Sequence, residues 1–256
     1  MKYYVLASGS AGNCTIIDID GKLLMIDVGI AVNEIEEKLF SLGYTSLDIR
    51  AILITHDHQD HIRSIRHYDT NLIYGGNINY NIKEENKLEP NKEYEILGCK
   101  ITPVMLSHDS GVCYGYRIEY KNEIFVYATD TGYFSVRNLS VMQNADYYVF
   151  ESNHDPSMLM KTKRPMFIKQ RILSDYGHLC NDDSAFILTK LIGNKTKQIV
   201  LAHLSREANT KELAYDTFYR ICNKYHVDTA SISLKIADQF EIVGYDGEEG
   251  EDEKEV

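Results

Sequence analysis

The 256-residue sequence lacks several features that mark large classes of proteins. No stretch approaches the roughly 18 consecutive apolar residues of a membrane-spanning helix, and the apolar run at 3–6 is too short for a signal-peptide core. None of the five cysteines forms a CxxC pair. Their odd number and wide spacing argue against a disulfide framework and against a thiolate zinc site. The sequence therefore predicts a cytoplasmic protein, not bound to a membrane, whose thiols are reduced and mostly buried.

The chain also lacks an overall basic excess. Its net charge is −11, and the segment 246–256 (DGEEGEDEKEV), with seven acids and one lysine, contributes −6 of it. This balance disfavours a protein that coats nucleic acid nonspecifically. Because 246–256 has no apolar anchor, we predict a disordered acidic tail, which serves either solubility or competition with an anionic substrate. No Pro/Gly linker divides the remainder, so we predict a single domain over 1–245.

Apolar strands that end in polar turns recur along the chain and predict an α/β fold. Strands are predicted over 2–7, 14–19, 22–27, 50–54, 94–97, 100–106, 113–120, 123–128, 146–151 and 198–202, with a closing hairpin over 230–243. Helices are predicted after Asn33 as a cap, from the turn at 56–61 to about 67, and over 135–142, 156–175, 183–192 (capped by Asn181 or Asp182) and 210–224. Residues 75–95 are polar and are interpreted as a surface excursion.

The densest cluster of reactive side chains is the turn HDHQDH (56–61), which directly follows the apolar strand at 50–54. Imidazole nitrogens and carboxylate oxygens are ligands that zinc and manganese accept. His56 and His58 are alternate residues, so one tight turn directs both towards one ion. Asp60 and His61 begin the next segment and face a second ion. The alternative interpretation is a solvated polar turn that happens to be rich in histidine.

Further histidines and acids lie where other predicted strands end, and strand ends gather along one edge of a sheet. These residues are Asp27, His108, Asp130, His154 and His203. We predict one metal site from His56, His58 and His108, a second from Asp60, His61 and His203, and Asp130 as the bridge. Two divalent ions, zinc or manganese, activate a bridging hydroxide and hold the oxygens of a phosphodiester in line. Asp27 is interpreted as a hydrogen-bond partner of a metal-bound imidazole, or else as a helix cap.

Eight motifs occur in an order that resembles a known family. They are ASGSAGN (7–13), MIDVG (25–29), THDHQDHI (55–62), SHDS (107–110), TDTGY (129–133), FESNHD (150–155), KQRILSDYGHLCND (169–182) and LAHLSRE (201–207). The ligand pattern looks like that of the metallo-β-lactamase superfamily. Over residues 1–245 the motifs resemble the YycJ/WalJ family within it.

This resemblance implies an αββα sandwich and a two-metal phosphodiesterase that degrades DNA from the 5′ end, with RNA as a possible substrate. It also places His178 at the scissile phosphate, where it would be catalytic together with Asp60, while a helix-capping role remains the alternative. His154, like Asp27, is assigned to support the ligands. The cations Lys161, Lys163, Arg164, Lys169 and Arg171 are either phosphate contacts or a solvated helix face.

Two other functions remain compatible with the sequence. One is a small-molecule hydrolase on the same scaffold, acting on a cyclic nucleotide, thioester or lactone. The other is a non-enzymatic binding module, which is disfavoured because all seven ligand residues are present. His67 and His226 lie outside the polar turns and are predicted to be surface residues. The oligomeric state is not predicted.

Overall fold

Two β-sheets lie face to face in the computed structural model, which describes residues 1–247. Within that range the strands are β1 (Lys2–Ala7), β2 (Cys14–Ile19), β3 (Lys22–Ile26), β4 (Ile49–Ile54), β5 (Ile73–Gly75), β6 (Tyr94–Ile96), β7 (Cys99–Met105), β8 (Tyr114–Tyr120), β9 (Glu123–Ala128), β10 (Tyr147–Glu151), β11 (Gln198–Ala202), β12 (Ser233–Ile236) and β13 (Val243–Tyr245). The first sheet has the order β13-β1-β2-β3-β4-β5, and the second has the order β12-β11-β10-β9-β8-β7-β6.

Helices cover the outer face of each sheet. The α-helices among the described residues are α1 (Val32–Ser41), α2 (Gln59–Ile62), α3 (Val136–Met142), α4 (Pro156–Lys161), α5 (Met166–Ile172), α6 (Asn181–Leu191) and α7 (Lys211–Lys224). Helix α1 buries Ile35 and Leu39 against the first sheet. Helices α3, α6 and α7 cover the second, burying Met142, Leu188 and Phe218. The predicted αββα sandwich is therefore confirmed.

The central strands are apolar on both faces because each sheet is covered on both sides. In β9, Phe125 and Tyr127 point into the core between the sheets, whereas Val126 points outward beneath the helices. Leu24 and Leu53 of the first sheet meet them across the central core. Burying such a side chain stabilises the fold by about 1.5–3 kcal/mol relative to leaving it exposed. This two-sided burial explains why these strands read as continuous apolar runs.

The strand directions bring the functional turns to one edge. Strands β3, β4 and β5 are parallel to one another, and β9, β10, β11 and β12 are likewise parallel. Strand β7 runs in the same direction as β9, because both are antiparallel to β8. The turns that follow β3, β4, β7, β9, β10 and β11 therefore meet, as the sequence predicts.

Two predicted helix starts are wrong by two residues. Asn33 lies inside α1, whose N-cap is Ala31, and the packing of Ile35 and Leu39 outweighs a capping preference of about 1 kcal/mol. Helix α6 begins at Asn181 itself, and the Cys180 thiol accepts the capping hydrogen bond. The proposed capping role of His178 on this helix therefore has no support.

The helix predicted over 156–175 is two short helices, α4 and α5, separated by the segment 162–165. Pro165 causes the interruption, because its ring disfavours the helical conformation of the residue before it. Pro165 occupies the N-cap position of α5. The basic residues of this region are consequently divided between two helices and the turn that joins them.

The closing hairpin predicted over 230–243 is also wrong. Strand β12 pairs in parallel with β11 in the second sheet, whereas β13 pairs antiparallel with β1 in the first. Each strand satisfies the backbone groups of a different sheet edge, which a hairpin would leave unpaired. The connection 237–242 therefore crosses from one sheet to the other.

Several other predictions concern surface and terminal features. His67 and His226 are exposed, and within residues 1–247 all five cysteines are free thiols, four of them buried. No helix in this part of the chain has the length and apolar character needed to span a membrane. Most of the predicted tail lies outside the described residues, although Asp246 accepts a hydrogen bond of 2.5 Å from Tyr4.

Candidate metal centre

The first predicted ligand group is a cluster of three imidazoles. His56 and His58 come from the turn after β4, and His108 comes from the turn after β7. Their ring centroids lie 4.6 to 5.1 Å apart, and one nitrogen of each lies within 4.8 Å of one nitrogen of the others. The His108 Nδ1 proton is donated to the Gly177 carbonyl over 3.2 Å, which leaves Nε2 for the cluster. Burial lowers the pKa of His56 and His108, which favours the neutral imidazoles that a metal ion requires.

The second predicted group combines Asp60, His61 and His203, with ligand atoms also within 4.8 Å of one another. Asp60 and His61 lie in helix α2, and His203 directly follows β11. His203 has a φ of 56°, a left-handed conformation that is costly for a residue with a Cβ. Asn153 stabilises this backbone by donating its side-chain amide to the His203 carbonyl over 2.8 Å.

Asp130 lies between the two groups, where the sequence predicts the bridge. Its Oδ2 is 3.3 Å from His61 Nε2, and its Oδ1 is 3.9 Å from His108 Nε2 and 3.4 Å from His203 Nδ1. Burial raises its pKa, but His203 and His61 outweigh that effect and hold the pKa well below the usual value. The side chain is therefore a carboxylate that can serve both groups.

Three buried atoms of this cluster have no hydrogen-bond partner among the described residues: His56 Nε2, Asp130 Oδ2 and His203 Nε2. A buried polar atom without a partner costs about 1–3 kcal/mol, so three neighbouring examples require an explanation. His56 Nε2 and Asp130 Oδ2 are acceptors. Burial lowers the pKa of His203, but Asp130 outweighs this effect and raises the pKa to about 10, so His203 Nε2 becomes an acceptor when a divalent cation displaces its proton. The donor set of imidazoles and carboxylates thus fits divalent metal binding.

Asp27 orients the His61 ring through a hydrogen bond to Nδ1. It follows β3 directly in a left-handed conformation, and its Oδ2 accepts the His61 Nδ1 proton over 2.7 Å. The backbone N–H and hydroxyl of Thr55 donate to the same carboxylate over 2.8 and 2.9 Å. This geometry matches the predicted supporting role and leaves His61 Nε2 facing Asp130. Asn13, from the glycine-rich loop after β1, also contacts His61 Nε2 at 3.0 Å.

The sequence interpretation missed Glu151, the last residue of β10. Its Oε1 accepts protons from His178 Nδ1 over 2.7 Å and from His203 Nδ1 over 3.1 Å. Burial raises its pKa, but His178 outweighs this effect and lowers the pKa to about 2. Glu151 is an acid at the end of an apolar strand, and the same signal identified Asp27.

His154, for which the sequence predicts a supporting role, does not contact the predicted ligands directly. His154 is buried, its Nδ1 contacts Asn153 Oδ1 at 3.3 Å, and its backbone bridges to Cys180. Within residues 1–247 it makes no hydrogen bond to any of the seven predicted ligands. Burial lowers its pKa to about 4, so the ring is neutral. The strand ends three residues earlier, at Glu151, and that residue reaches the ligands instead.

His178 lines a cavity of about 170 Å³ that His108 and His203 also line. Its Nδ1 proton is fixed by Glu151, so Nε2 is the nitrogen available to the cavity. Arg164 and Arg171 also line it, and Arg171 forms an ion pair with Asp109, a further lining residue. We call this space the cationic pocket. An anion entering it meets two guanidinium groups next to the predicted ligands.

The five predicted substrate-binding cations separate into different environments. Lys161 and Lys163 are exposed, and Arg164 pairs with Glu207 over 2.9 Å. Lys169 is only 6% exposed and donates to the carbonyls of Met160 and Thr162 over 2.7 and 2.9 Å. This arrangement disfavours its predicted phosphate contact, because its ammonium joins the end of α4 to α5. Arg164 and Arg171 are the two that face the cationic pocket.

Comparisons with known proteins agree with this geometry. Residues 38–204 match the family model described as a β-lactamase superfamily domain. The exodeoxyribonuclease WalJ of Streptococcus pneumoniae is 38% identical over 232 residues, which cover 84% of this chain and 86% of the relative. The exodeoxyribonuclease YycJ of Bacillus anthracis is 36% identical over 229 residues, with the same coverage of both chains. The metallo-β-lactamase fold protein YhfI from Bacillus subtilis superposes with a TM-score of 0.68 at 18% identity, covering 95% of this chain and 100% of that one.

The sandwich fold, the strand-end ligands and the family model together define a metallo-β-lactamase superfamily protein. The sequence identity extends over most of the chain and of both relatives. Within the superfamily, this chain belongs to the YycJ/WalJ family.

Proposed function

We propose that this protein is a metal-dependent phosphodiesterase, specifically an exodeoxyribonuclease that degrades DNA in the 5′→3′ direction. The observation that carries the proposal is a seven-residue ligand cluster that opens onto the cationic pocket. The 38% identity to a protein named exodeoxyribonuclease supports DNA as the substrate. The positive charge of the two guanidinium groups in the pocket suits binding of an anionic phosphate, and the adjacent ligand cluster suits hydrolysis of its ester.

The cluster is proposed to hold two divalent ions, zinc or manganese. His56, His58 and His108 would hold one, and Asp60, His61 and His203 the other, with Asp130 shared. When bound, such a pair supplies an activated water and positive charge for the oxygens of a phosphodiester. The three unpartnered buried atoms, one in each group and one on Asp130, support this division.

The protein's own groups orient and protonate the substrate in this proposal. Glu151 holds the His178 ring, so that His178 Nε2 donates a hydrogen bond, and then a proton, to a phosphate oxygen or to the leaving oxygen. Arg164 and Arg171 bind phosphate oxygens in the cationic pocket. Because Arg171 is paired with Asp109, the incoming phosphate competes with that carboxylate for the guanidinium group.

A nuclease assay with end-labelled DNA tests this function. Purified protein loaded with zinc or manganese is incubated with single- and double-stranded DNA labelled at either end, and with RNA of the same sequence. We expect mononucleotides to be released from the 5′ end of DNA and two metal ions per chain by elemental analysis. Intact DNA with both metals contradicts the proposal. So does faster turnover of a cyclic nucleotide, thioester or lactone that oligonucleotides do not inhibit.

A further inference from the structure

A second cleft reaches the ligand cluster from the side of His108. It has a volume of about 360 Å³, and Tyr133 and Tyr176 stand at its rim with 53% and 63% of their surface exposed. Met105, Ser107 and Asn138 form much of the remaining wall. We call this space the tyrosine cleft. It shares His108 with the cationic pocket, so a molecule bound at the ligands has access to both.

The backbone beneath the two tyrosines fixes them relative to the ligands. Gly132 packs directly on the segment before Tyr176, since a Cβ at Gly132 would lie 2.2 Å from the Ser174 carbonyl oxygen. Ser107, next to His108 in the chain, forms a β-bridge with Tyr133. On the other side, the carbonyl of Gly177 orients the His108 ring. Both tyrosines are thus one or a few residues from groups that position the predicted ligands.

The two spaces differ in chemistry. The cationic pocket contains Arg164 and Arg171. Among the described residues that line the tyrosine cleft, none is Lys, Arg, Asp or Glu, and the two exposed rings dominate its rim. A nucleotide has the same two parts, since a phosphate is anionic and a base is neutral with a flat aromatic face. The charged pocket therefore suits the phosphate, and the neutral aromatic cleft suits the base.

We propose that the tyrosine cleft binds a nucleobase next to the scissile phosphate, with Tyr133 and Tyr176 as its stacking surfaces. This inference rests on the proposed nuclease function and adds a binding site for the base to it. Aromatic rings bind bases of any sequence, because every base has a π-face. The site would therefore position the strand without selecting a sequence, as suits an exonuclease that must accept every terminal nucleotide.

The test combines protein variants with abasic substrates. Tyr133→Ala and Tyr176→Ala are compared with wild type on DNA that is intact or lacks the base of the first or the second nucleotide. Loss of one stacked base should lower wild-type kcat/KM by about tenfold at one of these two positions. Each alanine variant should lose about the same factor on intact DNA and almost nothing further on that abasic substrate. Tyr133→Phe and Tyr176→Phe should keep activity, because the ring and not the hydroxyl stacks.

Tyr215→Ala provides the matched control, since Tyr215 is 43% exposed on α7 and lines neither space. It should behave as wild type on all substrates. A fluorescence measurement gives a readout that does not depend on turnover. Because the chain contains no tryptophan, Tyr176→Trp introduces a single indole. Binding of an oligonucleotide with a non-hydrolysable terminal linkage to the metal-loaded variant should quench it, and the matching abasic oligonucleotide should not.

The outcomes separate this inference from the proposed function. If wild type degrades DNA but tolerates both abasic positions, or if the alanine variants lose the same factor on intact and abasic DNA, the tyrosine cleft does not bind a base and the nuclease function stands. Unquenched Tyr176→Trp fluorescence with a bound oligonucleotide has the same meaning. If wild type degrades no DNA at all, the function is wrong and the base site falls with it.

Discussion

The ligand cluster and the basic segment 161–171 contain the two sets of predicted functional residues, and they differ in how firmly they are held. The buried predicted ligands follow strand ends directly or, in the case of His61, lie in the short helix α2 after β4, and further groups such as Asp27 and Glu151 orient the imidazoles. In the basic segment, exposed lysines accompany one buried lysine and two arginines that pair with acids. A side chain at the end of a buried strand has one fixed position, whereas an exposed cation on a short surface helix can adopt many positions.

This difference predicts a gradient of mutational effects, and the ligands should be the most sensitive. Asp60→Ala removes a carboxylate from the second ligand group and should reduce kcat by at least about 10³-fold, because charge stabilisation and water activation are lost together. Turnover of labelled DNA and metal content measure the effect. Asp57→Ala, three residues earlier in the same turn, is the control, because Asp57 bonds outward to Asn79. Equal losses in both variants would contradict the predicted geometry.

His178 lines the cationic pocket beside both the ligand cluster and the arginines of the basic segment. Its replacement tests whether it takes part in catalysis. His178→Ala should lower kcat by about 10²-fold, the usual range for a lost proton donor, while the metal content is unchanged. His67→Ala, at an exposed site, serves as the comparison. Full turnover of the His178 variant would remove its proposed role.

Glu151→Gln tests the groups that orient the imidazoles, because it weakens this orientation and leaves the predicted ligands themselves unchanged. The amide keeps the shape but loses the charge that holds His178 and His203, so activity or metal affinity should fall about 10- to 100-fold. Metal titration and turnover measured on one preparation distinguish the two losses. An unchanged variant would mean that the imidazoles do not need a charged partner at this position.

The exposed cations should show the smallest catalytic effects. Lys161→Ala and Lys163→Ala should each leave kcat unchanged and reduce the salt dependence of single-stranded DNA binding by about 0.7 in log–log slope, if they contact phosphates. Binding measured at several salt concentrations gives the slope. An unchanged slope favours the solvated-face interpretation that the sequence left open.

Lys169→Met should act on stability and not on substrate. The buried ammonium satisfies the carbonyls of Met160 and Thr162, so its loss should lower the free energy of unfolding by about 1–3 kcal/mol. Denaturant unfolding measures this change, and KM for DNA should stay constant. A raised KM with unchanged stability would restore the phosphate contact that the structure disfavours.

The sequence was informative where chemistry and strand periodicity coincide. The apolar run before HDHQDH and the acids after other strands identified residues that the structure brings together, because parallel strands align their ends. Glu151 escaped notice because the next histidine, His154, was the more conspicuous ligand type. Only the folded structure shows that β10 ends at the acid and directs it to His178 and His203.

Other failures came from interactions that a local pattern does not contain. Pro165 marks the interruption between α4 and α5 in the sequence itself. The burial of Lys169, in contrast, depends on how α5 packs on α4. The separation of β12 from β13 depends on which sheet edges need a partner. Long-range pairing of this kind is decided by the whole fold and not by turn residues near 237–242.

The placement of the last two strands has a consequence for biosynthesis. Strand β13 pairs with β1, so this edge of the first sheet stays uncovered until the chain has been translated as far as Tyr245. Strand β12 likewise covers the β11 edge of the second sheet only after the chain has been translated as far as Ile236. A chain truncated before β12 would therefore expose the backbone groups of β1 and β11 to other chains and be directed to aggregation or proteolysis.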